Sequence, residues 1–411
     1  METTARPAAP RFLLLVIAYL GFISLGLPDA VIGVAWPSVR ETFELPNQLL
    51  GLFFVVSGFG YFISSFFTGR LLKAIGIGTL LAGSSALVAL SNFGYATSPL
   101  WLVMLGCAVF YGLGSGAIDA GLNNFVAHNY SARQMNWLHA CYMLGATLGP
   151  MLMTLVLAQS GSWRIGYAVI AAALLALSLL FFVTRRQWVQ PVDDEEAEPA
   201  PAETMLATLR LPAVWLQMAV YFFYTGLEVT LGQWSFTMLT ESRGMRPEIA
   251  GMFVTAYWAS LGVGRVLFGL IVNRLSIDLL LRACTVTAII GCVLVAIPSS
   301  GFLPLVGMIL AGLALAPVYP CLMTRTPGRF GVGHAAHAIG FQVSAAMIGA
   351  AMVPLAVGLI AGERRLELVA VCSIVVAVVI TLLHELLLFT TPTEMGPSAM
   401  KQTEGAEAAS N

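Results

Sequence analysis

Twelve apolar stretches, separated for the most part by short connections, run almost the whole length of the chain. They fall at about 12–36, 48–70, 77–97, 99–127, 136–159, 163–184, 211–239, 247–272, 277–297, 302–325, 335–361 and 366–390. A helix crosses a bilayer with roughly 20 apolar residues. In lipid the backbone must satisfy its own hydrogen bonds, so stretches of this length and kind can only be helices. Composition agrees: 58% of residues are hydrophobic and 10% charged, with a mean hydropathy of +0.85. The expected fold class is an all-α membrane protein with twelve transmembrane helices. Arg6 and Arg11 precede the first run, which continues to Trp36 without a small-residue cleavage site. It is read as a retained span and not as a signal peptide.

One connection has the composition of a linker. After Arg185 and Arg186 come Asp193, Asp194, Glu195, Glu196 and Glu198 among several prolines, a pattern that favours a solvated tether. The domain plan is an N-terminal segment 1–11, a six-helix bundle 12–184, a linker 185–210, a second bundle 211–390 and a disordered tail 391–411. The bundles resemble each other. Gly26-Leu27 matches Gly226-Leu227, Gly69 matches Gly269 and Gly112-Leu113 matches Gly312-Leu313, each at an offset of 200 residues. Gly145-Ala146 with Pro150 matches Gly349-Ala350 with Pro354 at an offset of 204. Loop charge orients the whole. Arg40, Arg164, Arg243, Arg246, Arg364 and Arg365 fall on one side, and the other 14 of the 20 Lys and Arg fall with the termini and linker. The termini are therefore expected in the cytoplasm, as the positive-inside rule requires.

Several function classes drop out. A net charge of -1 gives no electrostatic reason to bind nucleic acid. The six cysteines lie in apolar segments without a CxxC or a nearby histidine cluster, so neither disulfides nor a metal site is expected. Gly112-x-Gly114-x-Gly116 is not a dinucleotide fingerprint, His384-Glu385 does not continue to HExxH, and there is no P-loop. No enzyme and no cofactor is expected beyond a coupling ion, H+ in the first instance, with Na+ left open.

Ionisable residues inside spans are costly and face a bundle interior or a water-filled cavity. In span 4, Gly112, Ser115, Gly116, Asp119 and Asn123 share one helical face, small and polar, with Asn124 beside it. In span 1, Asp29 follows the helix-breaking Pro28. It is either the partner of a cation or substrate or an interfacial acid near Trp36. In span 7, Tyr221, Thr225, Glu228, Gly232 and Ser235 form a polar stripe beside Gln233 and Trp234. That stripe either lines a cavity or forms a helix–helix seam. Trp258 and Gln342 are further candidates for the cleft. Arg265, near the inner end of span 8, is read as a gate contact or a snorkelling cation. His139 is read as a core residue and not as a proton relay. By helical rise, Asp29 lies roughly 25 Å from the inner end of its span and Asp119 roughly 27 Å from the outer end of its own, so the two acids should not touch.

These motifs carry a resemblance. Gly112-x-Gly114-Ser-Gly116-x-x-Asp119-x-x-x-Asn123 resembles the fucose:proton symporter family of the major facilitator superfamily. So do Leu138-His-x-x-Tyr-x-Leu-Gly145-Ala-x-x-Gly149-Pro150 and Tyr224-x-Gly226-x-Glu228-x-x-x-Gly232-x-Trp234. Tyr257-Trp-Ala-Ser-Leu-Gly-x-Gly264-Arg265 and Ala316-Pro317-x-Tyr-Pro320 are similar to it as well, and with the span 7 pattern also to relatives of sodium-dependent glucose transporter 1. The resemblance implies two same-direction six-helix repeats with a substrate site between them near the midplane. It implies proton-coupled uptake of a neutral sugar, with Asp119 taking up the proton and Asp29 as the second proton-coupling acid. One departure stands out: the superfamily's Gly-x-Leu-x-Asp-x-x-Gly loop reads Gly69-Arg-Leu71-Leu-Lys73-Ala-Ile-Gly76 here, with Lys73 at the acid position of the inner gate. The second copy has Asn273-Arg274 instead.

The mechanism these readings lead to is alternating access, with protonation of Asp119 coupled to substrate occupancy. Asn123, Asn124, Tyr221, Glu228, Gln233, Trp234, Trp258 and Gln342 are the expected substrate-binding set, and Arg265 and Lys73 the expected gating set. An exporter of drugs or metabolites working by proton antiport is the alternative, and a non-translocating, transport-like receptor is a third reading. The expected partners are a monosaccharide and the lipid bilayer. The expected setting is a monomer in the cell membrane, the inner membrane in a bacterium.

Overall fold

The structure is a computed structural model and describes residues 11–188, 203–271, 276–299 and 301–391. The acidic part of the linker, Asn273-Arg274 and the tail beyond Thr391 lie outside the described residues. The first half contains α1 (Arg11–Asp29), α2 (Val31–Phe43), α3 (Leu49–Ile75), α4 (Ile77–Thr97), α5 (Trp101–Asn129), α6 (Ala132–Ser160) and α7 (Trp163–Thr184). A short α8 (Met205–Leu209) leads into the second half. There follow α9 (Pro212–Thr237), a π-turn over Met238–Ser242, α10 (Pro247–Ile271), α11 (Ile277–Ala296), α12 (Leu303–Leu315), α13 (Val318–Phe330), α14 (Val332–Ala361) and α15 (Leu368–Thr390).

Eleven segments among the described residues are long and apolar enough to cross a membrane. In that count α1 and α2 form one span, Phe12–Phe43, and α12 and α13 another, Leu303–Phe330. The twelfth is α9, 26 residues long, whose buried Gln217, Glu228, Thr230 and Gln233 lower its hydropathy. Its polarity follows from its position at the centre of the molecule.

Three boundaries differ from the sequence expectation. Span 1 continues to Phe43 and does not end at 36, because Trp36 and Val39 are buried and Arg40 finds acidic partners. Span 10 runs to Phe330 as two helices meeting at Ala316 and Pro317, since proline removes a donor from the ladder. At the linker's two ends the chain is packed and not solvated. Trp188 is buried against Phe125 and Phe181 and donates to Thr184 Oγ1 at 3.0 Å. Glu203 N donates to the Gly333 carbonyl at 3.1 Å, and Thr208 Oγ1 lies 2.9 Å from His334 Nδ1.

The repeat expected from glycine spacing appears as packing. A side chain at Gly145 would meet the Ile23 carbonyl at 2.1 Å, and one at Gly349 the Phe222 carbonyl at 2.0 Å, so α1 meets α6 as α9 meets α14. Small residues let helix backbones approach this closely in a membrane. The halves meet around a pseudo-twofold axis. Gly33 of α2 lies against Gln233 of α9, its 200-residue counterpart, with the Gln233 Cα 2.7 Å from where a Cβ would stand. On either side α3 packs on α14, with Gly51 against Leu355, and α6 packs on α10, with Gly251 against Thr154.

These three approaches lie toward the membrane face opposite the linker, the far face. There a polar cluster ties the halves together. Arg40 donates to both Glu241 carboxylate oxygens at 3.1 and 2.9 Å and reaches Glu363 at 3.5 Å. Asn47 donates through its backbone N–H to Glu363 and accepts from Trp36 Nε1 at 3.3 Å.

Candidate functional site

The first half contributes two carboxylates, each held by neutral donors. Asp119, half-buried on α5, accepts from the Tyr61 hydroxyl of α3 at 2.6 Å and from Asn123 Nδ2, one turn along its own helix, at 3.1 Å. Asp29, the last residue of α1, accepts from the hydroxyls of Tyr111 on α5 and Tyr142 on α6, the latter at 2.8 Å. Among the described residues no Lys, Arg or His pairs with either acid. The two acids share no hydrogen bond. Tyr111 and Asp119 are eight residues apart on α5, about 12 Å of helical rise, so the acids occupy different depths, as the sequence implies. Trp36, the candidate interfacial marker for Asp29, is buried and bonded to Asn47.

The second half contributes a charge pair. Glu228 of α9 accepts from the Tyr224 hydroxyl, and Arg265 Nη2 of α10 lies 3.6 Å from its Oε2. Tyr257 donates to the Glu228 backbone carbonyl at 2.9 Å. Arg265 therefore does not reach for the membrane surface by snorkelling: a carboxylate with little access to water lies within its range and holds it inside. Tyr142 of the first half, bonded to Asp29, is within electrostatic reach of Glu228 and Arg265, and Tyr319 of α13 is within reach of Asp119, Arg265 and Glu228. His139 of α6 also feels the Arg265 charge and lies edge-on to Phe22, ring centroids 5.4 Å apart.

The remaining residues expected at the site are scattered. Gln233 lies at the crossing of the halves. Its Nε2 donates to the Asp29 carbonyl at 2.9 Å, while its Oε1 is buried without a partner among the described residues. Trp258 packs its indole over Gly232 and leaves Nε1 without a partner there. Trp234 is different: fully buried, it donates to the Pro354 carbonyl at 3.0 Å and lies against Gly358, so it joins α9 to α14 and offers no free stacking face. Gln342 is also fully buried, accepting from Thr326 at 3.1 Å in a network that includes Gln217 and Arg329. It belongs to the interior of the second half and not to the cleft. Tyr221 is buried and donates to the Tyr319 carbonyl at 2.9 Å. Asn124 is half-buried beside Asn123, and Lys73 is exposed near the α3–α4 turn.

Tyr61, Tyr111, Tyr142 and Tyr224, which hold the acids, were not among the residues expected at the site. Tyr142 and Tyr224 stand in the motifs that carry the resemblance, but Tyr61 and Tyr111 signal only a phenol within an apolar span, which a core aromatic gives equally well.

Comparison with known families fits this architecture. Residues 18–354 match the model of the Major Facilitator Superfamily, and residues 235–410 match it again. The chain belongs to the Major Facilitator Superfamily. As a member it has the fold of multi-pass membrane transporters. Among its relatives, "Bypass of stop codon protein 6" of Saccharomyces cerevisiae is 25% identical over 293 residues, 64% of this chain and 58% of the relative. Human "Sodium-dependent glucose transporter 1" is 23% identical, over 59% of this chain and 54% of the relative. The chain thus spans little more than half the length of these two. The "Glucose/mannose transporter GlcP" of Bacillus subtilis is 24% identical over 75% of this chain and 78% of its own length. Solved structures of the same fold include a bacterial homologue of the lysosomal transporter Spinster, TM-score 0.73 at 14% identity, over 95% of this chain and all of the other. A variant of the E. coli fucose:proton symporter FucP has a TM-score of 0.61 at 18% identity, over 91% of this chain and 98% of the other.

Proposed function

We propose that this transporter carries a neutral monosaccharide by alternating access, with Asp119 as the group that takes up and releases the coupling proton. The observation that carries the reading is the setting of Asp119. It is an intramembrane acid of the first half whose donors, Tyr61 and Asn123, are neutral. A carboxylate without a fixed counter-cation is free to change charge as water and substrate come and go. Neutral polar groups are available for a substrate rich in hydroxyls: Asn123 beside Asp119 and, at the crossing of the halves toward the far face, the unpartnered Gln233 Oε1 and Trp258 Nε1. A site of this kind gains from a ligand that satisfies such atoms. Relatives named for glucose and mannose support the substrate class.

With the positive-inside assignment, the linker face is cytoplasmic and the far face, tied by Arg40, Glu241, Glu363 and Asn47, is external. The conformation is then one tied closed on the external side. Asp119 releases its proton to the cytoplasm, and reopening outward requires the Arg40 cluster to part.

The test is uptake of radiolabelled monosaccharides by the purified protein in liposomes, with and without an inward proton gradient. The expected result is gradient-driven accumulation by the wild type and its loss in Asp119→Asn, with sugar exchange retained. No uptake of any monosaccharide under either condition would falsify the importer reading and favour proton-driven export.

A further inference from the structure

At the linker face of the second half, where α11 begins and α13 and α15 end, there is a cavity of about 390 Å³. Its wall carries charges of both signs. The guanidiniums of Arg282, Arg325 and Arg329 stand with the carboxylates of Asp278 and Glu385, an excess of one positive charge. Arg282 commits Nε and Nη2 to the two Glu385 oxygens, at 2.7 and 2.8 Å, and Arg325 donates to Asp278 Oδ2 at 2.5 Å. Two polar atoms are left over. Arg282 keeps Nη1, on a side chain that is 52% exposed. Asp278 Oδ1 is buried without a hydrogen bond among the described residues, with Arg329 Nη2 3.9 Å away. Such an orphan is unusual, because a buried carboxylate oxygen normally has a donor. An apolar strip leads away from the cavity along α15. Leu382, Leu386 and Phe389 are all exposed and share one face of that helix, and Leu279 of α11, which borders the cavity with Phe389, is exposed as well.

We propose that this cavity holds the headgroup of an anionic phospholipid of the phosphatidylglycerol kind, drawn from the leaflet on the linker face. The phosphodiester carries one negative charge and offsets the positive excess of the wall. Its oxygens accept from Arg282 Nη1 in the charge-assisted geometry that guanidinium and phosphate share. A glycerol hydroxyl donates to Asp278 Oδ1 and removes the orphaned acceptor. Phosphatidylcholine lacks both the net charge and the donor. An ethanolamine headgroup supplies a donor but restores the positive excess. The apolar strip decides between a lipid and a soluble phosphate, since Leu382, Leu386 and Phe389 give acyl chains a surface to follow into the bilayer. Basic pockets between membrane helices on this side are where anionic headgroups are held. The site lies within one half and involves neither Asp119 nor the sugar, so it stands or falls apart from the proposed substrate and proton carrier.

The experiment is native mass spectrometry of the purified full chain, released from micelles that contain one lipid at a time with identical acyl chains. The lipids are phosphatidylglycerol, phosphatidylcholine and phosphatidylmethanol, which keeps the charge and lacks the hydroxyls. The wild type should retain phosphatidylglycerol about tenfold more than phosphatidylcholine and about fivefold more than phosphatidylmethanol, the equivalent of one hydrogen bond. Arg282→Gln should cut that retention about tenfold, and Arg364→Gln, at an exposed arginine of the far face, should leave it unchanged. The lipid series is read on the unaltered protein, so it decides even where a variant fails to fold. Equal retention of phosphatidylglycerol and either other lipid overturns the site, and so does retention unchanged in Arg282→Gln. Displacement by soluble glycerophosphoglycerol would identify a site for free anions and overturn the lipid. Retention seen only in Glu394→Gln would make the chain's own tail the occupant and overturn it equally. Failure of sugar uptake leaves all of these outcomes unchanged.

Discussion

Asp119 in the first half and Glu228 in the second are both intramembrane acids on central helices, yet they are stabilised in opposite ways. Asp119 has two neutral donors, Tyr61 and Asn123, whereas Glu228 has one, Tyr224, and an arginine 3.6 Å away. A carboxylate facing a guanidinium in a low-dielectric setting stays charged, because neutralising either partner strands the other. A carboxylate surrounded by hydroxyl and amide groups has no such constraint. The contrast divides the labour: the second half supplies a fixed dipole, and the first supplies the acid able to change its charge state during the cycle. The repeat is therefore closer in backbone packing than in chemistry. Gly145 and Gly349 make equivalent close approaches, while the polar residues beside them have diverged.

The sharpest way to break this comparison is to remove the fixed cation. Arg265→Ala leaves Glu228, 8% exposed, without its partner and should destabilise the folded protein by about 2–4 kcal/mol. Adding Glu228→Gln should recover most of that loss, as thermal melting in one fixed detergent or lipid would show. If the single variant melts like the wild type, the pair is not structural and the contrast collapses. On the other side, Tyr61→Phe removes a donor from Asp119 with little change of shape. It should slow proton-driven sugar accumulation about tenfold, from roughly 1–2 kcal/mol of lost hydrogen bonding, and shift the melting temperature far less than Arg265→Ala does. Equal damage from the two substitutions in both assays would erase the distinction between them.

Smaller effects are expected at the far face, where charge links the halves in the presence of water. Arg40→Ala should shift the population toward the outward-open form by about three- to fivefold, the equivalent of an exposed ion pair worth under about 1 kcal/mol. Spin labels placed across the far face would read that shift, and high salt should reproduce part of it in the wild type. The smallest effect is expected for the pair formed by Arg243 and Glu367, which lies within one half. The Arg243 guanidinium, bonded at 2.9 and 2.6 Å, holds the Glu367 carboxyl below its ordinary range. Its contribution is present above about pH 4.3, the ordinary glutamate value, and is lost as the pH falls through the lower folded value. Acid should therefore soften the second half slightly without moving the label distances across the far face. A change in those distances below about pH 5, with the Arg40 cluster removed, would count against that separation.

Much of the fold was legible in the sequence because a bilayer leaves a chain few choices. Length and hydropathy marked the spans, paired glycines marked the repeat, and the rarity of carboxylates in spans marked Asp29, Asp119 and Glu228. The side-chain assignments were less legible. Trp234 and Gln342 looked like lining residues and proved to be packing and network residues inside the second half. Helical periodicity places a residue on a face but does not say which neighbouring helix covers that face. Arg265 reads from the sequence as a gate contact or a snorkelling cation, because it lies near the inner end of span 8. Its partner lies 37 positions away in the chain, beyond the reach of any local pattern.

By itself the sequence determined that this chain forms two related bundles of membrane-spanning helices with acids in their interior, since the cost of exposing apolar surface to water, or a lone charge to lipid, admits no other arrangement. Only the tertiary structure decided which acid has a fixed cation and which has neutral hydroxyls, that the arginine-lined cavity of the second half exists, and that the halves are tied at the far face. Those properties depend on distances of a few ångströms between residues tens to hundreds of positions apart, and such distances are set by how the helices cross.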